Sequence, residues 1–271
     1  MGTHIHLPKF DSPPVVETVL GAQFSPVSQF NEVHAGWLWK KYFSDEWIRT
    51  SIAPRLEDQF ERFGDEKLWG PEALLMVRAA TGGERVQIYR SDDERMIQVQ
   101  NTRFLYNWRK GSAGYPSYDK LLPEFKDLFA SFEQFVKEAA KGELTLNQWE
   151  VTYVNQIPKG DLWFSASDWP SIFPWFVPPA TNIQGQHPDG FRGEWSLVVG
   201  DNLGRLHISL KHVRVGSSAG KEALALQLTA RGPLGEGKSL EVGLNIGHES
   251  IVESFAAITS QKAHKHWRRT A

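Results

Sequence analysis

Residues 144–157, LTLNQWEVTYVNQI, repeat in pattern an earlier stretch, residues 15–24, VVETVLGAQF. Setting Glu17 on Glu150 brings Gln23 onto Gln156 and Phe24 onto Ile157, and a proline follows soon after each, at Pro26 and Pro158. Val16, Leu20 and Phe24 then coincide with Trp149, Tyr153 and Ile157 on one apolar side. This period-two alternation predicts a half-buried β-strand in each place. The rigid pair Pro13-Pro14 leads into the first strand.

Outward from these strands, the two halves carry similar orders of elements. Val33, Trp37, Leu38 and Tyr42 predict a helix over 31–47. Residues 48–71 show no assignable pattern. Strand signals follow at 73–80, 85–90 and 95–105, separated by the turn chemistry of Gly82-Gly83 and Ser91-Asp92-Asp93. The clearest element is a helix over 117–141, where Leu121, Phe125, Leu128, Phe132, Phe135 and Val136 form one stripe and both charge signs share the other side. That mixture fits a helix lying on a sheet, not on a membrane. After the second strand, residues 160–190 are rich in proline and aromatics and admit one short helix at most. Strands are expected at 194–199, 205–215 and 223–231, then a helix over 248–259 and a basic tail.

The order is therefore β-α-β-β-β-α in residues 1–143 and β-(short α)-β-β-β-α in residues 144–271, with 160–190 as an insert in the second half. The expected fold class is α+β, an antiparallel sheet with helices on one face, forming one continuous globular unit. Either this is a generic two-layer α+β domain, or the halves are an internal duplication. In the second case a saddle similar to the TATA-box-binding-protein fold is the natural form. Strand alternation then assigns an open face carrying Glu17, Gln23, Glu150 and Gln156, with Gln87, Tyr89, Gln98, Gln100, His207 and Arg231 beside them. A sheet that binds DNA or RNA is basic with projecting aromatics, whereas this face is rich in glutamine and nearly neutral.

Composition narrows the function classes. Of 271 residues, 41% are hydrophobic and 23% charged, which supports a sizeable core and excludes wholesale disorder. A net charge of −2 supplies no global attraction to nucleic acid or anionic lipid. The absence of cysteine removes disulfides, thiolate nucleophiles and cysteine-held metal centres. The first residues lack the basic-then-apolar pattern of a signal peptide, and no apolar run approaches about 18 residues. A cytoplasmic protein without membrane contact is the expectation. No G-x-S-x-G, phosphate-loop or dinucleotide fingerprint is present.

Four segments together, FDSPPVVETVLGAQFSP, QVQNTRFLYNWRK with YPSY after it, VTYVNQIP and GHESIVESFAAIT, resemble a sporadically distributed bacterial family of uncharacterised proteins. The resemblance spans roughly residues 8–267 and implies no activity, cofactor or catalytic residue. Its patchy distribution implies mobile functions such as defence or toxin–antitoxin loci.

Several constellations are candidate sites. Arg103, Asn107, Trp108, Arg109, Lys110, Tyr115 and Tyr118 offer two guanidiniums, an amide and flat rings to a phosphate or carboxylate; alternatively the aromatics cap the core and the arginines pair with acids. Glu17 and Glu150 are either an acid–base pair near a pseudo-dyad or exposed glutamates in ion pairs. Trp169 and Trp175 lie in the proline-rich segment, which is either a partner-binding aromatic patch or the seal of the second core. His248 is read as a cap or packing residue at a helix start, not as a catalytic base. His4/His6 and His264/His266 lack a third ligand, so neither a metal nor a cofactor is expected. The leading functional reading is a non-enzymatic binding or adaptor protein with a protein partner. The alternatives are a nucleic-acid binder using Arg103, Arg109 and the tail Lys262, Lys265, Arg268 and Arg269, and a small-anion or nucleotide sensor or enzyme at the Arg103–Tyr118 loop.

Overall fold

Val15–Phe24 forms strand β1 and Leu146–Pro158 forms β6, and the two lie side by side, antiparallel, at the middle of one sheet. The structure, a computed structural model, describes residues 7–27, 29–43, 45–64, 84–139, 142–176, 185, 186, 188–216, 220–235 and 237–271. The other strands are β2 (Trp47–Pro54), β3 (Glu84–Arg90), β4 (Arg95–Gln100), β5 (Arg103–Arg109), β7 (Arg192–Val199), β8 (Gly204–Val215) and β9 (Lys221–Pro233). All pair antiparallel, in the spatial order β2-β3-β4-β5-β1-β6-β9-β8-β7.

The described residues also form four α-helices, α1 (Glu32–Leu38), α2 (Tyr118–Ala139), α3 (Leu240–Ile258) and α4 (Gln261–His266). Register shows which face they cover. Ala22 of β1 is opposed to Phe104 on one side and Trp149 on the other, so the three share a face. Phe104 packs against Phe125, Phe129 and Phe132 of α2, with centroids 5.1–6.1 Å apart. Trp149 packs against Gly243 and Gly247 of α3. Both long helices thus bury their stripes on the same side, where Leu20, Tyr106, Val151, Leu226 and Leu228 are also buried.

Several expectations require correction. The helix expected over 31–47 ends at Leu38, passes through a π-helical turn at Trp39–Phe43, and Trp47 already belongs to β2. The strand expected over 95–105 is a hairpin, β4 and β5, turning at Asn101-Thr102. Its signature is a parity switch: Ile97 and Val99 face the helices before the turn, Phe104 and Tyr106 after it. The final helix starts at Leu240, eight residues before His248, so of the two readings of His248 it is the packing residue and not the cap. The basic tail is no free tail. Lys262 and Lys265 belong to α4, and Arg268 and Arg269 lie in a segment bonded to residues 9–12. The strand expected at 73–80 lies outside the described residues.

In the proline-rich segment, Ala166–Ser171 is a short 3-10 helix. Leu162, Trp163, Trp169, Ile172 and Phe173 are buried in the core. Trp169 is 1% exposed and Trp175 39%, the latter donating its indole N–H to the Ile258 carbonyl at 2.8 Å. Of the two readings open for this segment, Trp169 follows the second and seals the core, because proline breaks the chain into short turns that fold its large side chains inward.

Candidate functional site

The sheet face away from the helices carries the polar side chains that alternation assigned to it, and part of it is not open. Residues 55–63, unassignable in sequence, leave β2 without regular structure and cross this face as a strap. Gln100, Arg103, Gln23 and Gln148 are successive lateral partners on β4, β5, β1 and β6. All four hold the strap by its peptide groups. Gln100 accepts from Leu56 N at 3.0 Å and donates to Leu56 O at 2.9 Å. Gln23 does the same with Gln59, at 2.8 and 3.0 Å. Arg103 donates to Glu57 O at 3.0 Å, and Gln148 accepts from Glu61 N at 3.3 Å. A primary amide presents one donor and one acceptor in the geometry of a peptide group, so the glutamines act as a neighbouring strand would.

The strap ends in a charged clasp. The Glu61 carboxylate, its side chain 4% exposed, accepts from Arg205, from His207 Nε2 at 2.6 Å and from Arg231 Nε at 3.2 Å. Arg205 also donates to Arg62 O at 2.8 Å. Burial by itself would raise the Glu61 pKa. The His207 hydrogen bond and the charges of His207, Arg231 and Arg205 outweigh it and hold the pKa down at about 2. Glu150 stands between Arg103 and Arg231, 3.8 and 3.6 Å away. Desolvation lowers the Arg103 pKa.

Beside the strap a chain of hydrogen bonds crosses five strands with one polarity. Ser51 donates to Gln87 (3.0 Å), Gln87 to Gln98 (3.1 Å), Gln98 to Asn107 (2.8 Å) and Asn107 to Glu17 (2.8 Å). Aligned dipoles of this kind reinforce one another and end here on a carboxylate. Glu17 and Glu150 do not form an acid–base pair: they oppose Val154 and Gly21 and are engaged by different partners. Gln156 is half-buried on the same face.

The Arg103–Tyr118 constellation does not form one site. Residues 103–109 are a strand, so Arg103, Asn107 and Arg109 project to the strapped face and Trp108 to the helix face. Arg109 and Lys110 are exposed. Tyr115 and Tyr118 join a different group, around a cavity of about 590 Å³ between residues 7–15, the start of α2, β6 and α3. There Tyr115 OH donates to Tyr153 OH at 2.9 Å, and Tyr153 OH meets His248 Nδ1 at 2.9 Å. Tyr118 stacks on His248, rings 3.9 Å apart and 4° from parallel. Burial pushes the His248 pKa down to about 4 and the Tyr115 pKa up to about 12. No group of three His, Asp or Glu side chains among the described residues is arranged to hold a metal.

In comparisons with known proteins, no family model matches this chain and no curated protein matches its sequence. The site is therefore read from its geometry.

Sequence reasoning missed Glu61, Gln148, Arg205, Tyr153 and the role of His248. The run Arg55-Leu56-Glu57-Asp58-Gln59-Phe60-Glu61 has neither helical nor strand periodicity because its partners are side chains of six distant strands. A signal was nonetheless present: so many glutamines on one sheet face need peptide-like partners.

Proposed function

We propose that this chain is a non-enzymatic binding protein whose glutamine-lined sheet face takes an extended acidic polypeptide, the site being occupied at rest by its own residues 55–63. The observation that carries this reading is the row Gln100, Arg103, Gln23 and Gln148, which holds peptide groups and not side chains. Recognition of that kind tolerates many sequences and selects an extended backbone. The Glu61 clasp adds one sequence requirement, an acidic side chain delivered to Arg205, His207 and Arg231. Nucleic-acid binding through Arg103, Arg109 and the tail finds less support, since Arg103 is buried beneath the strap and faces Glu150, leaving, of these two arginines, Arg109 alone exposed on that face.

We further propose that the two halves are a duplication forming a saddle. The overlay of Glu17 on Glu150 sets Val19 on Thr152, and these two residues oppose each other mid-strand in the β1–β6 pair, where a two-fold axis would pass. On either side, β5, β4 and β3 follow β1 as β9, β8 and β7 follow β6, each half with its own long helix; the first half departs from the expected β-α-β-β-β-α order by one further strand, β2, at its edge. Membership in the sporadically distributed bacterial family is likewise our proposal, resting on the four segments quoted above.

A fluorescent peptide of sequence RLEDQFERF tests the binding reading by anisotropy. An intramolecular strap competes at an effective concentration on the order of millimolar. The peptide is therefore expected to bind Glu61→Ala protein at least tenfold more tightly than wild type, and to lose that affinity when Gln23→Ala is added. No saturable binding to a folded Glu61→Ala chain overturns the reading. Hydrogen exchange on wild type gives a second measurement. The Gln59 and Glu61 amides should open well below the free energy of global unfolding; exchange only through global unfolding would make the strap plain core.

A further inference from the structure

The cavity on the helix face is independent of the strapped face, and its polar groups are specific enough to name a ligand chemistry. We propose that it binds a neutral, flat aromatic molecule carrying a carboxamide or lactam group, with its acceptor oxygen on His248 Nε2–H and its N–H on Asn155 Oδ1.

The tautomer is assigned from the direction of the relay, since either ring nitrogen of a neutral imidazole can carry the proton. Tyr115 OH donates to Tyr153 OH, so the Tyr153 proton is directed to His248 Nδ1, and a neutral imidazole then carries its own proton on Nε2. His248 lines the cavity, and Nε2 has no partner among the described residues. Asn155 also lines it and is 1% exposed. Its amide N–H is used on Leu226 O at 3.2 Å, which leaves Oδ1 without a partner among the described residues. One donor and one acceptor, both neutral, thus remain beside Tyr153.

The rest of the wall sets shape and charge. Tyr118, Ile251, Val252 and Phe255 offer apolar surface, and a space of this size suits a drug-sized molecule. The charged lining residues, Lys9, Asp11 and Asp119, are all exposed. An ionised group seated on His248 and Asn155 would lose water while the charges of Lys9, Asp11 and Asp119 stay solvated at the rim, where water screens them. The depressed pKa of His248 keeps that side chain neutral near pH 7. Ser117, next to Tyr118, holds φ 72°, a left-handed conformation that costs a non-glycine residue energy. It stands directly before the tyrosine stacked on His248.

Saturation-transfer NMR with benzamide, benzoate and benzylamine, three probes of one shape and three charges, tests the proposal on the full chain. Benzamide is expected to bind at about millimolar affinity, the range open to so small a molecule, with the charged probes at least fivefold weaker. His248→Phe keeps a ring against Tyr118 but removes Nε2–H, and should weaken benzamide at least tenfold. Val252→Phe, which fills the space from α3 without touching the relay, should abolish binding even if His248→Phe does not fold. Benzoate or benzylamine binding as well as benzamide overturns the assigned ligand class. Absence of benzamide binding, or binding unchanged in either folded variant, overturns the site.

Discussion

Glu61 and the two tryptophans of the proline-rich segment show how differently single side chains weigh here. Removing the Glu61 carboxylate leaves Arg205 buried without its anion and Arg231 with Glu150 alone. Breaking one partner out of such a cluster costs about 3 kcal/mol or more, most of it from the orphaned charges. Urea unfolding of Glu61→Ala should show a loss of that order, and a change under about 1 kcal/mol would mean that water already solvates the clasp. Trp169 and Trp175, alike in sequence, part company. Trp169→Ala empties a fully buried indole site and should cost about 3–5 kcal/mol. Trp175→Ala loses a partly exposed ring and one hydrogen bond, so about 1 kcal/mol is expected. Equal losses at both positions would contradict the packing described.

At the scale of elements, α3 is decided by its neighbour and not by its own propensities. Gly243 and Gly247 lie under the Trp149 ring, and a Cβ on Gly247 would sit 2.6 Å from Trp149 Cζ3. Gly247→Ala should therefore destabilise by about 1–3 kcal/mol, although alanine is the better helix former by about 1 kcal/mol. Gly36 in α1 has nothing within 4 Å of its would-be Cβ. Gly36→Ala should stabilise by about 0.5–1 kcal/mol. Thermal unfolding of the two variants should thus move in opposite directions. A shift of the same sign in both would show that helix propensity, and not the approach to Trp149, governs α3.

For the whole molecule, the strap ties the two halves of the sheet together, from β2 to β8 and β9, and its clasp makes that tie sensitive to acid. The Glu61 carboxyl titrates at about 2 in the folded chain against its ordinary 4.5. A depressed carboxylate contributes stability that is fully present above 4.5 and is lost as pH falls from 4.5 towards 2, because the unfolded chain takes up the proton first. The contribution is on the order of 3 kcal/mol. Wild type should lose stability across that window more steeply than Glu61→Gln, which has no carboxyl at this position to titrate. Parallel acid limbs for the two proteins would place the acid sensitivity elsewhere.

The amino-acid sequence by itself determined the elements whose burial pattern is local. β1 and β6 carry alternating faces, the stripe of α2 runs unbroken through Leu121, Phe125 and Phe132, and the polar face is written in every second residue of its strands. Elements without a local pattern were settled only by tertiary contact. The turn at Asn101-Thr102 is marked by a change of parity that matters only once a helix lies on one side. The start of α3 was hidden because glycine reads as a breaker in sequence, whereas here it makes room for Trp149. The strap has no period at all, since its hydrogen bonds go to side chains on strands remote in sequence. For the same reason Arg103 and Trp108, neighbours in sequence, serve opposite faces of the sheet, while His248 and Tyr115, far apart in the chain, share one cavity. Strand alternation separates what is adjacent, and packing of α2 and α3 on one sheet joins what is distant.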